Sequence, residues 1–420
     1  MVVSTWLWRA WPRACMATLL CLASVGVQAQ TQKLPNDNVE TALVGIFKAI
    51  EGRRLAEALA RTEALIASRP NYRLAHLIKG DLLLARGWPI RSMGAAPNAP
   101  PERVRELREE ALARLAAYRQ RPPKDAIPRY LLQLRPDQKN AVVVDTKKSR
   151  LYIYENDNGK PRFVADYYIS HGKNGSDKLR EGDQKTPLGV YHVTASLPKT
   201  KLADLYGDGA FPINYPNGWD RRNGRGGSGI WLHGTPSDTF ARAPRASDGC
   251  VVLSNQDLRS VAHLIQVGLT PVIISDHVEW LSLDDWNSQR RALQNAIEQW
   301  RRDWESRDSD AYLKHYARAF QGDGMNLKAW SERKRQVNAG KAWIKVGLAN
   351  ISMLRYPGKD DMVVVTFDQD YKSSNLENMM KKRTYWIKEG GSGKSSMKVR
   401  PSWKTSCQPL AIPIFFWSQA

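Results

Sequence analysis

Apolar residues in the first third of the chain recur at the spacing of amphipathic helices. Leu43, Phe47 and Ile50 form one such set. Intervals of three, four and seven residues place side chains on one face of a helix, which can then pack against a neighbour. The pattern predicts a helical domain over residues 30–135.

Pro70 separates two of these predicted helices, and the segment LAHLIKGDLLLARG follows it. This arrangement resembles a tetratricopeptide-like helical hairpin. Little more than one repeat is present, whereas about three are usually needed for a stable solenoid. We therefore expect these helices to pack against a neighbouring domain.

The hydrophobic pattern changes to that of strands after the helical region. AVVVDTKKSRLYIYEND predicts two strands joined by a Lys-Lys-Ser turn, and FVADYYISHG, GVYHVTASL, GIWLHG and TPVIIS predict more. One helix is predicted at NQDLRSVAHLIQVG. Residues 138–278 should therefore form a mostly β domain with Gly-rich connections.

A long helix followed by strands is predicted in the last third of the chain. One face of the helix carries the apolar residues Leu293, Ile297, Trp300 and Trp304. Strand patterns follow at AWIKVGLANISMLR, DMVVVTFDQDY and RTYWIKEGG. Helices first and a meandering sheet afterwards predict an α+β domain over 284–391. The order of elements resembles the cone-shaped fold of nuclear-transport-factor-2-like (NTF2-like, or SnoaL-like) domains.

The pattern of alternation is lost after residue 391, in SGKSSMKVRPSWKTSCQPLAIPIFFWSQA. We expect 392–420 to be an aberrant or disordered tail. Permitted codons for 392–398, moved one base upstream, can encode Gln-Trp-Lys-Ile-Ile-Tyr-Glu, which would suit a closing strand. One hypothesis is a frameshift, which would make Cys407 accidental, and the other is an ordinary disordered tail. If no codon choice in the gene permits the alternative frame, the frameshift is excluded.

The N-terminus has the features of a secretory signal. Arg9 and Arg13 precede an apolar run from Met16 to Val27, and Val27-Gln28-Ala29 stands in an A-x-A-like position. This predicts a cleavable signal peptide over 1–29 and a periplasmic protein. The alternative is an uncleaved anchor, although the run is shorter than the ~20 residues of a spanning helix.

The charge balance bears on the partners of the chain. The sequence has 63 Lys+Arg against 42 Asp+Glu, a net charge of +21, which favours an anionic surface or polymer. The basic residues are scattered without a nucleic-acid motif, so no nucleic-acid partner is expected. The wall, phospholipid headgroups and lipopolysaccharide are anionic neighbours of an exported protein, and a basic surface that serves only solubility is the alternative.

Candidate chemistry lies in GIWLHGTPSDTFARAPRASDGCVVLSN, residues 229–255. His233 ends one predicted strand and Cys250 begins another, so the imidazole and the thiol can meet across a sheet. A histidine that takes the thiol proton produces the reactive thiolate. The spacing alone fits a buried structural cysteine with an unrelated histidine equally well.

Residues around this pair suit an acyl-transfer site. The carbonyl of Gly234 can fix the tautomer of the imidazole, as a carboxylate does in other triads. Gly249 permits a tight turn, after which its own amide and that of Cys250 can point at a developing oxyanion. Ser247 is a further hydrogen-bond donor candidate.

The motifs HG…SxGC and TPxGxY, the latter within SHGKNGSDKLREGDQKTPLGVYHV at 170–193, resemble the signature of YkuD-type L,D-transpeptidases. The resemblance covers about a third of the chain. It implies that Cys250 is the nucleophile, His233 the general base and Gly234 the orienting carbonyl. Many members have a second histidine before Gly-Cys and an arginine or asparagine two residues after it, where this chain has Asp248 and Val252. This departure places the acceptor preference in doubt.

The three-part plan is similar to the L,D-carboxypeptidases that set cell shape in some helical bacteria. The family likeness implies a thioester with the peptidoglycan stem peptide and release of D-alanine. A second stem amine would then give a cross-link (L,D-transpeptidase), whereas water would trim a tetrapeptide to a tripeptide (L,D-carboxypeptidase). A non-catalytic wall-binding scaffold is the alternative from another class.

Two aromatic residues and the remaining histidines complete the list of candidates. Tyr215 and Trp219, in NYPNGWD, are expected beside the cleft, in substrate contact or in packing. Together with Gly249, Ser247 and Asp248 they are the predicted oxyanion or substrate-binding set. No metal-like cluster is visible among His76, His171, His192, His263, His277 and His315. No metal or other cofactor is expected, and the helical and C-terminal domains are candidate surfaces for wall or envelope proteins.

Overall fold

The structure is a computed structural model that describes residues 37–89, 92–96, 98–123, 125–322, 324–358, 362–389 and 396–401. The predicted signal peptide, Cys407 and most of the predicted aberrant tail lie outside these residues. Within them, no helix is both long enough and apolar enough to cross a membrane.

Helices form the start of the described chain and return between residues 283 and 339, with two short ones in the middle. They are α1 Asp37–Glu51, α2 Leu55–Ser68, α3 Arg73–Leu84, α4 Pro101–Arg119, α5 Gly218–Arg222, α6 Asn255–Ala262, α7 Leu283–Glu305, α8 Ser309–Leu313 and α9 Leu327–Ala339.

Strands fill the centre and the C-terminal part. They are β1 Ile127–Pro128, β2 Leu131–Gln133, β3 Asn140–Asp145, β4 Arg150–Asp157, β5 Lys160–Tyr168, β6 His171–Gly172, β7 Gly189–His192, β8 Leu197–Pro198, β9 Gly209–Pro212, β10 Trp231–His233, β11 Arg245–Ser247, β12 Val251–Val252, β13 Pro271–Ser275, β14 Trp280–Leu281, β15 Gln321–Gly322, β16 Met325–Asn326, β17 Ile344–Arg355, β18 Met362–Ser373, β19 Leu376–Glu389 and β20 Ser396–Pro401.

The predicted multidomain combination of α and β structure is confirmed. Helices α1 to α4 precede a β-rich middle, and the C-terminal part joins helices α7 to α9 to a curved sheet. The face of α7 that the apolar spacing predicted is buried: Leu293, Ile297, Trp300 and Trp304 are each at most 5% exposed. The domain boundaries drawn from the sequence remain predictions.

The helical region has its own core and a polar connection to the central domain. Leu43, Ile46 and Leu74 are among its buried residues. Arg114 of α4 donates to Glu110 at 2.8 Å, and its guanidinium lies 4.0 Å over the ring of Tyr168 in β5. A buried guanidinium needs such partners because desolvation is costly. The helices therefore pack against a neighbour, as the single hairpin suggested.

Three sheets of four or five strands organise most of the rest of the described chain. A five-stranded sheet has the order β5-β4-β3-β13-β7, with β13 parallel to β3 and antiparallel to β7. A four-stranded sheet follows the order β12-β10-β9-β8, and the C-terminal sheet follows β2-β17-β18-β19-β20. The backbone of Ser396–Pro401 thus closes the C-terminal sheet beside β19.

Each face of the C-terminal sheet packs, over part of its area, against another part of the chain. One face packs on α7 to α9 through residues such as Val363, Val365 and Trp386. The other shares a core with the five-stranded sheet, in which Leu354 and Tyr385 lie among the buried residues. A core built from both domains fixes them against each other.

Strand β2 was not predicted, and it lies in the region assigned to the helical domain. It pairs with β17, with Leu131 opposite Leu354. Its backbone is also bound to α7, because the indole nitrogen of Trp286 donates to the carbonyl of Leu131 at 2.7 Å. Three residues are too few to show alternation, and the partner strand lies far away in sequence. Helices α5 and α9 were also missed.

Candidate active site

Two parallel strands hold the predicted nucleophile and base. Leu232 of β10 is opposite Val251 of β12, and His233 is opposite Val252. Residues opposite each other in a ladder share a face, so His233 and Val252 do. The parallel pairing therefore places the imidazole on the strand next to the one that Cys250 directly precedes.

The Cys250 thiol sits just before the start of β12. Its Sγ donates to the carbonyl oxygen of Gly229 at 3.3 Å, rather than to the imidazole. Burial, the largest influence, raises the pKa of this thiol to about 11. At neutral pH the resting residue is therefore a thiol and not a thiolate.

The His233 imidazole is buried and oriented by the next residue. Its Nδ1 lies 2.7 Å from the carbonyl oxygen of Gly234. A carbonyl can only accept, so Nδ1 carries the proton and Nε2 keeps its lone pair. Burial lowers the pKa of His233 to about 4. A neutral imidazole with a fixed tautomer is suited to accept a proton.

The Ser247 hydroxyl stabilises the turn before Cys250 through two hydrogen bonds. It donates to the carbonyl of Cys250 at 2.7 Å and accepts from the amide of Gly249 at 3.2 Å. The Gly249 amide is thus engaged within the turn and does not point at an oxyanion as predicted. Of the two amides predicted to donate to an oxyanion, only that of Cys250 then remains a candidate.

Gly249 and Gly234 occupy positions where a side chain would not fit. Gly249 has a φ of +127°, and an added Cβ would lie 2.7 Å from the carbonyl oxygen of Lys185. An added Cβ at Gly234 would lie 2.1 Å from Oδ1 of Asn255. Both turns therefore require glycine, one for conformation and the other for close approach.

The remaining predicted residues lie around the site in different roles. Asp248 is exposed and accepts from Lys173 at 2.9 Å and from Gln184 at 3.1 Å. Tyr215 is buried, and its hydroxyl donates to the carbonyl of Gly226 at 2.8 Å. The ring of Trp219 lies 5.5 Å from that of Tyr385 in the C-terminal sheet. For Tyr215 and Trp219 the contacts are those of packing.

Sequence reasoning missed two residues that lie beside the pair. The ring of Tyr206 lies 5.1 Å from His233 in an edge-on contact and 4.7 Å from Trp231. Arg242 lies close enough for its charge to act on both His233 and Cys250. Neither residue belongs to a sequence motif. Both reach the site only through the tertiary fold.

The loop between His233 and Cys250 is anchored on the helical domain. The ring of Phe240 lies 4.8 Å from that of Tyr72, which is buried among the helices. The carbonyl of Arg242 accepts from the hydroxyl of Tyr168 at 2.9 Å. The helical region therefore helps to set the path of the loop that carries Arg242.

The described residues contain no group of three or more His, Cys, Asp or Glu side chains arranged to hold a metal ion. Cys250 is a free cysteine.

Comparisons with known families agree with this arrangement. The YkuD family model, described as the L,D-transpeptidase catalytic domain, matches residues 139–274. The model of the Cds6 C-terminal NTF2-like domain matches residues 292–397. A comparison with curated proteins returned no match.

Two solved structures resemble the chain over most of its length. Bd1075 from Bdellovibrio bacteriovorus is 30% identical, with a TM-score of 0.57, over 68% of this chain and 100% of that one. The helical cell shape determining protein Pgp2 from Campylobacter jejuni is 26% identical, with a TM-score of 0.55, over 65% of this chain and 94% of that one. The predicted resemblance is confirmed: the chain belongs to the family of proteins that join a YkuD-type L,D-transpeptidase catalytic domain to a C-terminal NTF2-like domain.

Proposed function

We propose that the chain is a periplasmic cysteine enzyme of the L,D-transpeptidase type that acts on tetrapeptide stems of peptidoglycan. The observation that carries the proposal is the pairing of β10 with β12, which places His233 beside the strand that Cys250 directly precedes, with Nδ1 of His233 bound to Gly234. A nucleophile, a base and an orienting acceptor are the three parts that such catalysis needs.

The proposed first step forms a thioester. Sγ of Cys250 attacks the carbonyl carbon at the L-centre of the third stem residue while Nε2 of His233 takes the thiol proton. The tetrahedral intermediate collapses, the imidazolium gives its proton to the departing amine, and D-alanine leaves. The thioester remains on Cys250.

The resting protonation states bear on how the proton moves. The thiol has a pKa of about 11 and the imidazole one of about 4. A free thiolate–imidazolium pair is therefore unfavourable, and we expect transfer to accompany formation of the carbon–sulfur bond. The thiol must also turn away from Gly229 to face the imidazole.

The outcome depends on what resolves the thioester. Attack by a second stem amine gives an L,D-cross-link, and attack by water gives a tripeptide stem. The L,D-carboxypeptidase outcome is a second candidate, favoured by the similarity to Pgp2, described as a cell shape determining protein. Asp248 also stands where many transpeptidases have a second histidine, and it is engaged with Lys173.

Purified tetrapeptide muropeptides test the proposal. Mass spectrometry should show free D-alanine together with cross-linked dimers for the first candidate, or with tripeptides alone for the second. Cys250→Ala and His233→Gln should each abolish turnover with unchanged unfolding midpoints, and the exposed His263→Gln serves as the matched control. Undiminished D-alanine release by Cys250→Ala would exclude the mechanism, whereas no release by the wild type would favour the non-catalytic scaffold.

Export and partners are separate parts of the proposal. The N-terminal pattern supports cleavage near Ala29 and a periplasmic location, which cell fractionation and N-terminal sequencing of the mature protein would test. Recovery of the uncleaved chain in the cytoplasmic fraction would contradict it. Wall or envelope proteins are the partners proposed for the helical and C-terminal domains, to be tested by domain deletion and wall pull-down.

A further inference from the structure

The side chain of Asn255, the first residue of α6, binds two other segments of the central domain. Its Nδ2 donates to the carbonyl oxygen of Thr235 at 2.8 Å, and its Oδ1 accepts from the backbone amide of Asp208 at 2.9 Å. A carbonyl oxygen only accepts and a backbone amide only donates, so these partners fix the orientation of the side-chain amide. Asn255 therefore joins three segments of the chain through two hydrogen bonds.

One of the two segments ends β10 and carries the proposed base. The carbonyl of His233 accepts from the amide of Leu253 at 2.9 Å. The carbonyl of Thr235 accepts from Asn255. The carbonyl of Gly234, which lies between these two, binds Nδ1 of His233 at 2.7 Å. The segment that leads into α6 thus holds the backbone on both sides of the carbonyl that orients the imidazole.

The other segment is the loop before β9, which also contacts the imidazole. The ring of Tyr206 packs edge-on against His233 at 5.1 Å, and the carbonyl of Tyr206 accepts from the amide of Gly234 at 3.0 Å. Asp208, two residues later, is the residue whose amide binds Asn255. The same side chain therefore connects both segments that contact the imidazole.

Two glycines leave the space that the Asn255 amide occupies. An added Cβ at Gly234 or at Gly207 would collide with Oδ1 of Asn255. Gly207 also has a φ of +65°, a left-handed conformation that favours glycine. The two segments therefore approach this side chain closely, and no residue larger than glycine fits at either point.

We propose that Asn255 is a positioning residue for the general base, because it holds the Gly234 carbonyl where Nδ1 of His233 can donate to it. The inference rests on the proposed function, in which Nε2 of His233 takes the thiol proton. A carbonyl that moves away from Nδ1 allows the other tautomer, in which Nε2 carries a proton and cannot accept one. Asn255 acts through His233 and needs no contact with substrate.

The test replaces Asn255 by leucine in the full chain, since leucine has a similar size but forms neither hydrogen bond. The matched control is Asn140→Leu, because Asn140 is also partly buried and its Nδ2 donates to a backbone carbonyl, that of Leu264, at 3.0 Å. Asn140 begins β3, outside the segments that hold His233.

Two properties of each variant are measured. The first is kcat and KM for tetrapeptide muropeptides. The second is the tautomer of His233 at neutral pH, from the NMR signals of its isotope-labelled ring nitrogens, which are assigned by their loss in His233→Gln. A residue that served only stability would change neither the tautomer nor the balance of kcat against KM.

In Asn255→Leu, kcat should fall by about ten- to hundredfold with KM unchanged, as expected for a misplaced catalytic group. The ring-nitrogen signals should shift towards those of the tautomer protonated at Nε2. Asn140→Leu should keep the wild-type kcat and tautomer, although each variant should lower the urea midpoint because each loses a hydrogen bond. If Asn255→Leu does not fold, Asn255→Asp, which keeps the acceptor for Asp208 and loses the donor to Thr235, gives the same comparison.

Two results would overturn the proposal. One is a wild-type tautomer or a wild-type kcat in Asn255→Leu. The other is an equal fall of kcat in Asn255→Leu and Asn140→Leu, which would assign the effect to general stability. The tautomer is measured without substrate, so a wild type that releases no D-alanine would refute the proposed function, while the His233 signals would still decide whether Asn255 orients the imidazole.

Discussion

The hydroxyl of Thr186 donates a hydrogen bond at 3.0 Å to the carbonyl of Gly249, the residue before the proposed nucleophile. The same oxygen accepts from the amide of Gly172 at 2.9 Å. Thr186 is fully buried. The threonine of the TPxGxY motif thus joins the Gly-rich entry to the turn that carries Cys250, and its role is to position that turn.

Thr186→Val should therefore weaken both the fold and the reaction. Valine has nearly the same shape but leaves two buried backbone groups unpaired, which should lower the free energy of unfolding by about 1–3 kcal/mol. D-alanine release should slow as well, because the cysteine turn loses its support. Urea unfolding and turnover of muropeptides measure the two effects.

Thr194→Val is the matched control for this change. Thr194 is exposed, and its hydroxyl donates to the carbonyl of Pro212 at 3.1 Å. The carbonyl of Pro212 also accepts from the amide of Thr194 at 2.8 Å and stays paired, so the free energy of unfolding should change by less than about 0.5 kcal/mol. Equal effects of the two substitutions would contradict the positioning role of Thr186.

Much of the architecture could be predicted because it depends on local periodicity. The apolar face of α7 gave Trp300 and Trp304 as core residues, and both are buried. The alternation and the β-branched residues of β3 and β18 likewise predicted strands. Such patterns report which face of an element is buried, whatever the partner is.

Features that depend on a distant partner could not be predicted. Strand β2 is defined by pairing with β17, and Trp286 binds it from α7. Within the site, the motif allowed His233 and Cys250 to be predicted from the sequence, whereas Tyr206 and Arg242 belong to no motif and were not predicted. Tyr206 reaches Trp231 and His233 through tertiary contacts alone, and Arg242 lies on a loop that packs on the helical domain. A single sequence carries no period or spacing for such contacts.

Two buried histidines and a partly buried one should make the protein sensitive to acid. Burial lowers the pKa of His171, His192 and His233 to about 4 in each case. A pKa below the ordinary 6.5 means that the folded state favours the neutral ring. Their stabilising contribution is complete above pH 6.5 and is lost as pH falls through 4.

The urea midpoint of His192→Gln should accordingly fall less steeply than that of the wild type between pH 6.5 and 4, because one of these groups no longer titrates. His263→Gln, at an exposed position, should keep the wild-type slope. The measurement is chemical unfolding at a series of pH values. Parallel curves for His192→Gln and the wild type would contradict the assignment.

Trp219 should contribute to stability and not to substrate binding. It packs against Tyr385 and Tyr356 of the C-terminal domain, but it is only half-buried. Trp219→Ala should lower the free energy of unfolding by about 1–3 kcal/mol, less than the ~3–5 kcal/mol of a fully buried aromatic residue. The KM for muropeptides should stay unchanged.

Trp88→Ala provides the comparison, since Trp88 is 75% exposed and its loss should leave the unfolding free energy nearly unchanged. A raised KM in Trp219→Ala with wild-type stability would instead place this residue in contact with substrate, as one of the two sequence-based interpretations has it.

Arg242 should shift the pKa values of Cys250 and His233, the proposed catalytic pair. Burial is the main cause that lowers the pKa of His233, and the positive charge of Arg242 lowers it further. The same charge lowers the pKa of Cys250, against the larger effect of burial. In Arg242→Gln both pKa values should therefore rise. The acid limb of the kcat/KM profile should move to higher pH, and alkylation of Cys250 at pH 8 should slow by roughly three- to tenfold, as for the loss of one nearby charge.

Arg245→Gln is the matched control, because Arg245 is exposed and its guanidinium lies 3.6 Å from Glu109. A profile that moves equally in both variants would reflect the net charge of the protein, and an unmoved acid limb in Arg242→Gln would place this arginine outside the electrostatics of the site.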